Sequence, residues 1–336
     1  MQADATTPET APAGGHPLVS VIIPAYNAAA YIGGALESVF AQTFTDYEVI
    51  VVNDGSPDTG ELERALAPYE GRVVYVRQEN RGPSGARNTA IRAARGRYVA
   101  LLDSDDTWLP PYLAEQVNML EADTSLDLVY TDAELFGATA LAGKTFMEGA
   151  PSRGPVTFES LLRYESQVIT SCTVARKQAL IDAGLFDEAF IRCEDFDLWL
   201  RLAHRGGRIA YQTQVLARHR AHAASLAADD LLMFEAQIKV LEKTLRLLSL
   251  TAAQRELVER QLVSCAAVID LERGKRHFAA GEYEQAAQAL RRANDFYRTR
   301  KLRLVLWALR AAPRGLRAID RARQKFSARK AATRAS

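Results

Sequence analysis

Short apolar runs alternate with amphipathic stretches along the first 130 or so residues of the chain. Runs rich in β-branched residues predict strands, and the segments between them, with apolar residues three and four positions apart, predict helices. The predicted strands are residues 18–24, 47–54, 73–78, 98–103 and 126–132, and the predicted helices are residues 29–41, 59–69, 84–94 and 110–122. Because the strand runs are almost continuously apolar, we expect a doubly wound α/β domain with parallel strands buried on both faces.

Polar residues follow three of the predicted strands. Tyr26 and Asn27 follow the first run, Asp54 ends the second and Asp103 ends the fourth. Ligands of doubly wound sheets bind at the carboxyl ends of the strands. These polar groups therefore predict a site along one edge of the sheet.

The pattern changes twice in the second half of the chain. Residues 132–167 are rich in glycine and proline and predict an irregular, mobile segment, whereas residues 170–176 and 208–222 return to strand character. From about residue 229 the apolar spacing is helical throughout, which predicts a C-terminal α-helical region. We expect four parts: a disordered start at 1–17, an α/β domain at 18–228, a helical hairpin region at 229–298 and a basic amphipathic tail at 299–336.

The overall composition limits the function classes. The net charge is only +1, so the chain as a whole is not expected to bind nucleic acid. The three cysteines are widely spaced and predict neither a disulfide framework nor a thiolate metal site. The N-terminal residues lack the layout of a secretory signal, and no apolar run approaches the roughly 20 residues that span a bilayer. We expect a cytoplasmic protein, either free or lying on the inner face of the plasma membrane.

Three carboxylates, those of Asp103, Asp105 and Asp106, lie almost together after a buried strand. They repel one another unless a positive group lies among them, and a hard cation such as Mg²⁺ or Mn²⁺ would relieve that repulsion. The alternative is that Asp106 caps the helix expected after Trp108 and that the other two are solvated. We expect Asp106 to cap that helix, which leaves two carboxylates for a cation.

Four segments together resemble the family 2 glycosyltransferases. These are AYN at residues 25–27, VVNDGSPD at 51–58, NRGPSGARNTAIRAARGRYVALLDSDD at 80–106 and GLFDEAFIRCEDFDLWLRLA at 184–203. The resemblance covers residues 18–225, and its strength lies in the order and spacing of the motifs. It implies the nucleotide-sugar-binding glycosyltransferase A fold and inverting transfer from a nucleoside diphosphate sugar, with UDP favoured.

The resemblance also implies a nucleotide-binding set: Ala25, Tyr26, Asp54, Arg87 and Asp103. Asp54 would accept a hydrogen bond from the base, although it is equally a turn residue. Arg87 would contact the nucleotide, and the alternative is a helix-surface arginine paired with a carboxylate. Asp103 would reach the ribose.

The metal is assigned by the same resemblance to Asp105, the last acid of a DxD motif, with Mn²⁺ or Mg²⁺ as the cofactor. The basic loop RHRAHAAS at residues 218–225 resembles the family's loop over the diphosphate, and both His219 and His222 are candidates there. We assign His219 as the metal ligand or phosphate contact. The alternative is a histidine with only a structural role.

Glu194 and Asp195 match the family's general-base position at the start of a helix. Inversion by direct displacement needs one carboxylate to accept the proton of the attacking hydroxyl, and we assign Asp195 to that role, with Glu194 beside it. The alternative is a helix N-terminus that carries favourable acids. Trp199, at helical spacing with Leu198 and Leu202, is expected in the core, although contact with the acceptor stays open.

The expected reaction transfers a sugar to a polysaccharide or lipid-linked oligosaccharide acceptor, as the family implies. A nucleotidyltransferase would show a glycine-rich loop with a lysine near the first strand, and PAYNAAAYIGGAL at residues 24–36 contains no lysine. A non-catalytic scaffold built on the C-terminal helices is a third hypothesis. The intact acidic motifs favour an enzyme over both.

The C-terminal tail is strongly basic. Apolar residues of the tail fall near helical spacing among arginines: Leu302, Val305, Leu306, Leu309, Leu316 and Ile319. Such a stretch is expected to bury this apolar side in the lipid interface while its cations meet anionic headgroups. The alternative is that the same side packs on protein.

Overall fold

The structure, a computed structural model, describes residues 16–222, residue 225 and residues 229–311. The chain divides into two compact units, Met1–Ala228 and Asp229–Ser336. The sequence predicted disorder for residues 1–17. Residues 1–15 of that stretch lie outside the described residues. Most of the tail, from residue 312 onward, also lies outside them.

The first unit is an α/β domain built on one sheet. Its strands are β1 Val19–Ala25, β2 Tyr47–Asp54, β3 Val74–Gln78, β4 Tyr98–Leu101, β5 Thr107–Trp108, β6 Leu128–Gly137, β7 Thr173–Arg176 and β8 Ile209–Ala221. Its helices are α1 Ile32–Phe40, α2 Thr59–Leu66, α3 Gly82–Ala93, α4 Tyr112–Ala122, α5 Phe146–Gly149, α6 Phe158–Leu162, α7 Lys177–Asp182 and α8 Glu194–His204. The alternation that the apolar runs predict is confirmed.

The sheet is mixed, whereas the sequence predicted parallel strands. Its eight strands lie in the order β3-β2-β1-β4-β7-β6-β8-β5. The first four strands of the chain are parallel neighbours, but β7 lies antiparallel between β4 and β6. Strand β7 comes from more than thirty residues after β6, and such a long-range insertion leaves no trace in local hydrophobic periodicity.

The carboxyl ends of β1, β2 and β4 lie side by side, because β1 pairs with both of the other strands in parallel. The register pairs Ala25 with Asn53, so Tyr26 and Asp54 leave the sheet at the same level. Asp103 follows β4 by two residues on the same edge. The polar edge that the sequence predicts is confirmed.

Asp106 does not cap a helix, and that prediction is wrong. Thr107 and Trp108 form strand β5, which pairs antiparallel with Arg218 and Ala217 of β8. Helix α4 begins only at Tyr112, and its first turn is capped by Gln42, whose Oε1 accepts from the Leu113 N–H at 2.9 Å. The two-residue strand is too short for a periodic signal, so the local sequence resembled a helix entrance.

The segment at residues 132–167 is more ordered than expected. Strand β6 continues to Gly137, and two short helices follow at Phe146–Gly149 and Phe158–Leu162. Thr157 and Ser160 form a capping box in which each side chain accepts from the backbone of the other. Gly143, Pro151, Gly154 and Pro155 lie between these elements, and Gly137 and Gly149 end β6 and α5.

The second unit contains four helices within its described residues: α9 Asp230–Leu247, α10 Ala252–Ala280, α11 Tyr283–Tyr297 and α12 Arg300–Ala311. Asp229 caps α9, and Thr251 forms a capping box with Gln254 at the start of α10. Consecutive helices of this unit pack on one another. Among the residues that the structure describes, none of the helices combines the length and the apolar character needed to cross a bilayer.

Candidate active site

Arg87 of helix α3 joins two acidic segments that are far apart in sequence. Its Nη2 donates to Asp103 Oδ1 at 2.6 Å and its Nη1 donates to Glu194 Oε1 at 2.7 Å. The guanidinium is buried, which acts to lower its pKa, but the charges of Asp103 and Glu194 outweigh burial and raise the pKa of Arg87. Arg87 is therefore not a helix-surface arginine. It is a permanent cation that holds the DxD loop beside the start of α8.

Replacing Arg87 with methionine is expected to destabilise the fold by about 3–5 kcal/mol, because it leaves Asp103 and Glu194 without their buried counterion. Arg64→Met is the matched control, since Arg64 pairs with Glu61 on the surface, where such a pair contributes about 1 kcal/mol or less. Urea denaturation of both variants measures the difference. A loss in Arg87→Met no greater than that in the control would contradict a structural role for the buried cation.

Two histidines of the β8 end reach the acidic cluster. His222 Nε2 lies 3.0 Å from Asp105 Oδ2, and His219 Nδ1 lies 2.9 Å from Asp106 Oδ2. Arg220 also joins the cluster: its backbone N–H donates to Asp106 Oδ1 and its Nε donates to the Asp105 carbonyl. Arg87, Arg220 and His219 thus supply positive charge among the three adjacent carboxylates, and His222 adds a direct contact to Asp105.

The electrostatics of the cluster follow from burial and charge. Burial, and then the charges of Asp106 and Asp103, raise the pKa of Asp105, while the hydrogen bond from His222 acts in the opposite direction. Burial disfavours a charged ring at His219, yet the hydrogen bond and charge of Asp106 raise the pKa of His219 to about 9. The His219–Asp106 contact is accordingly an ion pair at neutral pH.

Aromatic rings hold the β8 end over the site. The Arg220 guanidinium lies 4.3 Å from the centre of the Phe136 ring and 5.0 Å from that of Tyr31. The His222 ring stacks on Tyr31, with centroids 5.7 Å apart. Sequence reasoning missed Tyr31 and Phe136, because neither belongs to an acidic or basic motif.

Asp54 lies at the end of β2 and is buried. Its Oδ1 accepts from Gln78 Nε2 at 2.6 Å and from the backbone N–H of Arg81 at 2.9 Å. Its Oδ2 accepts no hydrogen bond from the described residues, so one carboxylate oxygen stays free for a donor on a ligand. Asp54 is more than a turn residue, and the exposed Tyr26 follows the neighbouring strand β1 at the same level.

The loops after β1 and β2 are tied together by two residues that sequence reasoning missed. Ser56 Oγ accepts from the backbone N–H of Asn27 at 2.6 Å, and it also bonds to the Asp58 carboxylate. Asp58 Oδ2 accepts from the backbone N–H of Ala29 at 2.9 Å. This network fixes Asn27, which has a positive φ of 52°, and so orients the turn that carries Tyr26.

Helix α3 anchors the segment that leads into α8. Asn88 donates from Nδ2 to the Phe186 carbonyl at 2.8 Å and accepts at Oδ1 from the Phe186 N–H at 3.0 Å. Ser84 Oγ donates to the Phe190 carbonyl at 3.1 Å. Ser84, Arg87 and Asn88 all belong to the SGARN motif of residues 84–88. Through these contacts the motif fixes the start of α8, where Glu194 and Asp195 lie.

Asp195 and Glu194 face different surroundings. Glu194 is buried against Arg87; burial raises the pKa of Glu194, and the Arg87 charge opposes that effect. Asp195 is half-buried, and its Oδ2 accepts from Thr170 Oγ1 at 2.7 Å. Thr170, which sequence reasoning missed, holds the Asp195 carboxylate beside the half-exposed Phe196, whose ring stacks on Tyr164.

Trp199 lies in the core, as expected. It is buried with Leu198 and Leu202, and its ring meets Phe186 edge-on at 6.2 Å. Contact of Trp199 with an acceptor is therefore excluded in this conformation. Phe196, one turn earlier, is the aromatic residue of α8 that reaches the surface beside Asp195.

The acidic edge fits a divalent cation in its donor chemistry. Within the described part of the chain, no group of three or more His, Cys, Asp or Glu side chains is arranged to hold a metal alone. Asp105 with His222 offers a carboxylate oxygen and an imidazole nitrogen, and Mg²⁺ commonly uses one or two carboxylates together with substrate phosphates. The contact to Asp105 comes from His222, so the assignment of His219 as metal ligand stays a prediction.

Comparison with known proteins identifies the relatives of this fold. The family model for glycosyl transferase family 2 matches residues 20–176. An uncharacterized glycosyltransferase of Rickettsia prowazekii is 34% identical over 213 residues, which are 62% of this chain and 65% of the relative. A relative from Rickettsia felis, 32% identical, is covered over only 34% of its length. The chain thus spans between about a third and two thirds of the length of these relatives.

One named relative is the Escherichia coli UDP-Glc:alpha-D-GlcNAc-diphosphoundecaprenol beta-1,3-glucosyltransferase WfgD. It is 32% identical over 189 residues, which are 55% of this chain and 69% of that protein. Among solved structures, S. aureus TarS 1-349 in complex with UDP superposes with a TM-score of 0.58 at 18% identity, over 92% of this chain and 91% of TarS 1-349. The mannosyltransferase PcManGT from Pyrobaculum calidifontis, in complex with GDP-Man and Mn²⁺, superposes with a TM-score of 0.60 at 20% identity, over 88% of this chain and 80% of PcManGT. These likenesses confirm the predicted fold class.

Proposed function

Because the chain belongs to the family 2 glycosyltransferases and is therefore a transferase, we propose that it moves a sugar, with inversion, from a nucleoside diphosphate sugar to a saccharide acceptor. UDP is the favoured nucleotide. The observation that carries the proposal is the Arg87 bridge, which places Asp103 of the DxD loop and Glu194 beside Asp195 in one site. Asp103 belongs to the proposed nucleotide side and Glu194 to the proposed acceptor side, and the Arg87 guanidinium binds both. This arrangement suits a direct displacement.

The nucleotide is proposed to bind at the ends of β1 and β2. The free Oδ2 of Asp54 accepts the N–H of the base, and the exposed Tyr26 borders the base from the loop after β1. Ala25 is fully buried at the end of β1, so its contact with the base stays a prediction. Asp103 is proposed to meet the ribose, since its carboxylate is partly exposed beyond its bond to Arg87. Contact of Arg87 itself with the nucleotide stays a prediction, because both of its Nη atoms already bind carboxylates.

The cation, Mn²⁺ or Mg²⁺, is proposed to be held by Asp105 with His222 as a second protein ligand. When bound, it would neutralise the charge that develops on the leaving diphosphate. Burial and the neighbouring carboxylates disfavour the charged form of Asp105, and a cation at this position would reverse that effect. Arg220, fixed between Tyr31 and Phe136, provides a permanent positive charge on the same side.

Asp195 is proposed to be the general base. It accepts the proton of the acceptor hydroxyl as that oxygen attacks the anomeric carbon, and the bond to the diphosphate breaks on the opposite face, so the configuration inverts. The choice between the two adjacent acids rests on their partners: Glu194 is committed to Arg87, whereas Asp195 is oriented by Thr170 and is partly exposed. Thr170 is a positioning residue, because it acts through Asp195.

The acceptor is proposed to be a lipid-linked oligosaccharide or a polysaccharide made at the cytoplasmic side of the cell envelope. The support is the likeness to WfgD, whose name specifies a diphosphoundecaprenol-linked sugar. The half-exposed ring of Phe196, stacked on Tyr164 beside Asp195, offers an apolar platform of the kind that packs on the flat face of a sugar ring.

Calorimetric titration with UDP-Glc, UDP-GlcNAc, UDP-Gal and GDP-Man, with and without Mn²⁺, tests this function. We expect one UDP-sugar to bind more tightly than GDP-Man, and to do so in a Mn²⁺-dependent way. A protein that binds no nucleotide sugar contradicts the proposal. A nucleoside triphosphate and a sugar phosphate are titrated in the same series, and tighter binding of that pair would instead support a nucleotidyltransferase, the alternative that the family match disfavours.

A further inference from the structure

Helix α12, Arg300–Ala311, has two chemically different sides. It packs on α11, and its inner side carries Leu302, Val305, Leu306 and Leu309, which are half-buried or, for Leu309, buried. The sequence analysis predicted that the apolar side of the tail enters lipid, and these four residues are the part of that side that the structure describes. For them the prediction is wrong. They pack on protein instead, as the alternative stated.

The outer side of α12 is exposed and mixes large apolar with cationic residues. Trp307 is 69% exposed and Leu304 is 66% exposed. The helical spacing places Arg300, Arg303 and Arg310 on the same side, and all three are exposed. We refer to these five residues as the α12 outer face.

An exposed tryptophan flanked by arginines is typical of a surface that meets a lipid interface. The indole packs at the boundary of headgroups and acyl chains, where one end is apolar and the other is wet. Arginines beside it are attracted to anionic headgroups. Positive charge continues in sequence after α12, with Arg314, Arg317, Arg321, Arg323, Lys325, Arg329, Lys330 and Arg334 against Asp320 alone.

We propose that the α12 outer face docks on a bilayer that contains anionic phospholipid, with Trp307 and Leu304 in the interface and Arg300, Arg303 and Arg310 at the headgroups. A second copy of the chain fits less well, because a symmetric contact through this face would bring its arginines close to those of the other copy. A nucleic acid would engage the arginines but would not require Leu304. The proposal is independent of the donor and the reaction.

The tryptophans provide a selective probe of this contact. The chain has three, and the other two are buried, Trp108 at 3% and Trp199 at 2% exposure. A change in emission on adding vesicles therefore reports Trp307. The experiment titrates the full chain, without substrate, with vesicles of phosphatidylcholine alone and of phosphatidylcholine with phosphatidylglycerol, and repeats the titration with brominated acyl chains.

We expect a blue shift of the emission with phosphatidylglycerol vesicles, quenching by the brominated chains, and loss of both at high salt. Arg300→Glu/Arg303→Glu/Arg310→Glu is expected to weaken vesicle binding by about 100-fold or more, since each cation near the surface contributes about a factor of five. The charge-matched control, Arg255→Glu/Arg260→Glu/Arg291→Glu, changes three exposed arginines of α10 and α11 in the same unit and is expected to bind vesicles more tightly than the α12 variant.

Four results would overturn the proposal. One is full-chain emission that stays unshifted and unquenched by the vesicles. Another is equal weakening by the α12 variant and its control, which would indicate diffuse charge attraction. The third is vesicle binding, measured by co-sedimentation, that persists without quenching of Trp307, because the docking surface would then lie elsewhere in the chain. Concentration-dependent dimerisation that Trp307→Asp abolishes, with no vesicle binding, would assign the face to a second copy.

Discussion

Asp195→Asn is expected to lower kcat by about 10²–10⁴-fold while leaving the dissociation constant of the donor nearly unchanged. The amide keeps the size of the side chain and can still meet Thr170, but it cannot accept the acceptor proton. Donor binding is proposed to depend on the other edge of the site, at Asp54 and Asp105. Initial rates with a saturating donor, and calorimetry for donor affinity, measure the two quantities separately.

Glu194→Gln is the informative neighbour of that variant. The amide oxygen can still accept from Arg87 Nη1, so we expect a modest loss of stability and a smaller loss of kcat than in Asp195→Asn. If Asp195→Asn turns over at the wild-type rate and Glu194→Gln does not, the base is Glu194. Wild-type rates in both would exclude the start of α8 as the source of the base.

Asp105→Ala is expected to abolish the Mn²⁺-dependent part of transfer, with a loss of at least about 100-fold, and to weaken UDP binding in the presence of Mn²⁺. The variant removes the carboxylate that we place on the cation and leaves His222 without its partner. UDP affinity in the absence of Mn²⁺ is expected to change much less. Titration of UDP with and without Mn²⁺ tests both statements.

Asp182→Ala is the control for that experiment, because Asp182 is an exposed acid of α7 whose carboxylate meets Gln178. It is expected to behave as the wild type. Unchanged turnover in Asp105→Ala would remove the metal assignment. An equal loss of UDP affinity with and without Mn²⁺ would indicate a general disruption of the loop.

The parts of the fold that could be predicted are those set by local pattern. Apolar runs such as residues 47–54 must be buried on both faces, and their order along the chain places the polar residues after them on one edge. Pairing between distant segments has no such signal. The insertion of β7 between β4 and β6, and the pairing of Thr107 with Arg218, depend on contacts across many residues.

The candidate site divides in the same way. The acids were visible in the sequence because carboxylates after a buried strand need an explanation, and Arg87, His219 and His222 were candidates, but which of these residues meets which acid was not predictable. That Arg87 reaches both Asp103 and Glu194 is set by how α3 packs between two segments. That His222, rather than His219, meets Asp105 is set by the path of the chain at the end of β8.

The amphipathic tail shows the limit of helical periodicity. The pattern separates Leu302, Val305, Leu306 and Leu309 from the arginines, but it does not say whether that side meets lipid or protein. The presence of α11 decides it, because the apolar side packs on that helix and leaves Trp307 and Leu304 exposed.

The configuration of the product tests the central claim most directly. The donor selected by the titration, if it is an α-linked UDP-sugar such as UDP-Glc, is incubated with Mn²⁺ and a lipid-linked or synthetic saccharide acceptor, and the new linkage is followed by proton NMR from the first turnovers. We expect a β-linked product with the wild-type chain and none with Asp195→Asn. An α-linked product, or a β-linked product formed as fast by Asp195→Asn, would contradict inverting transfer with Asp195 as the base.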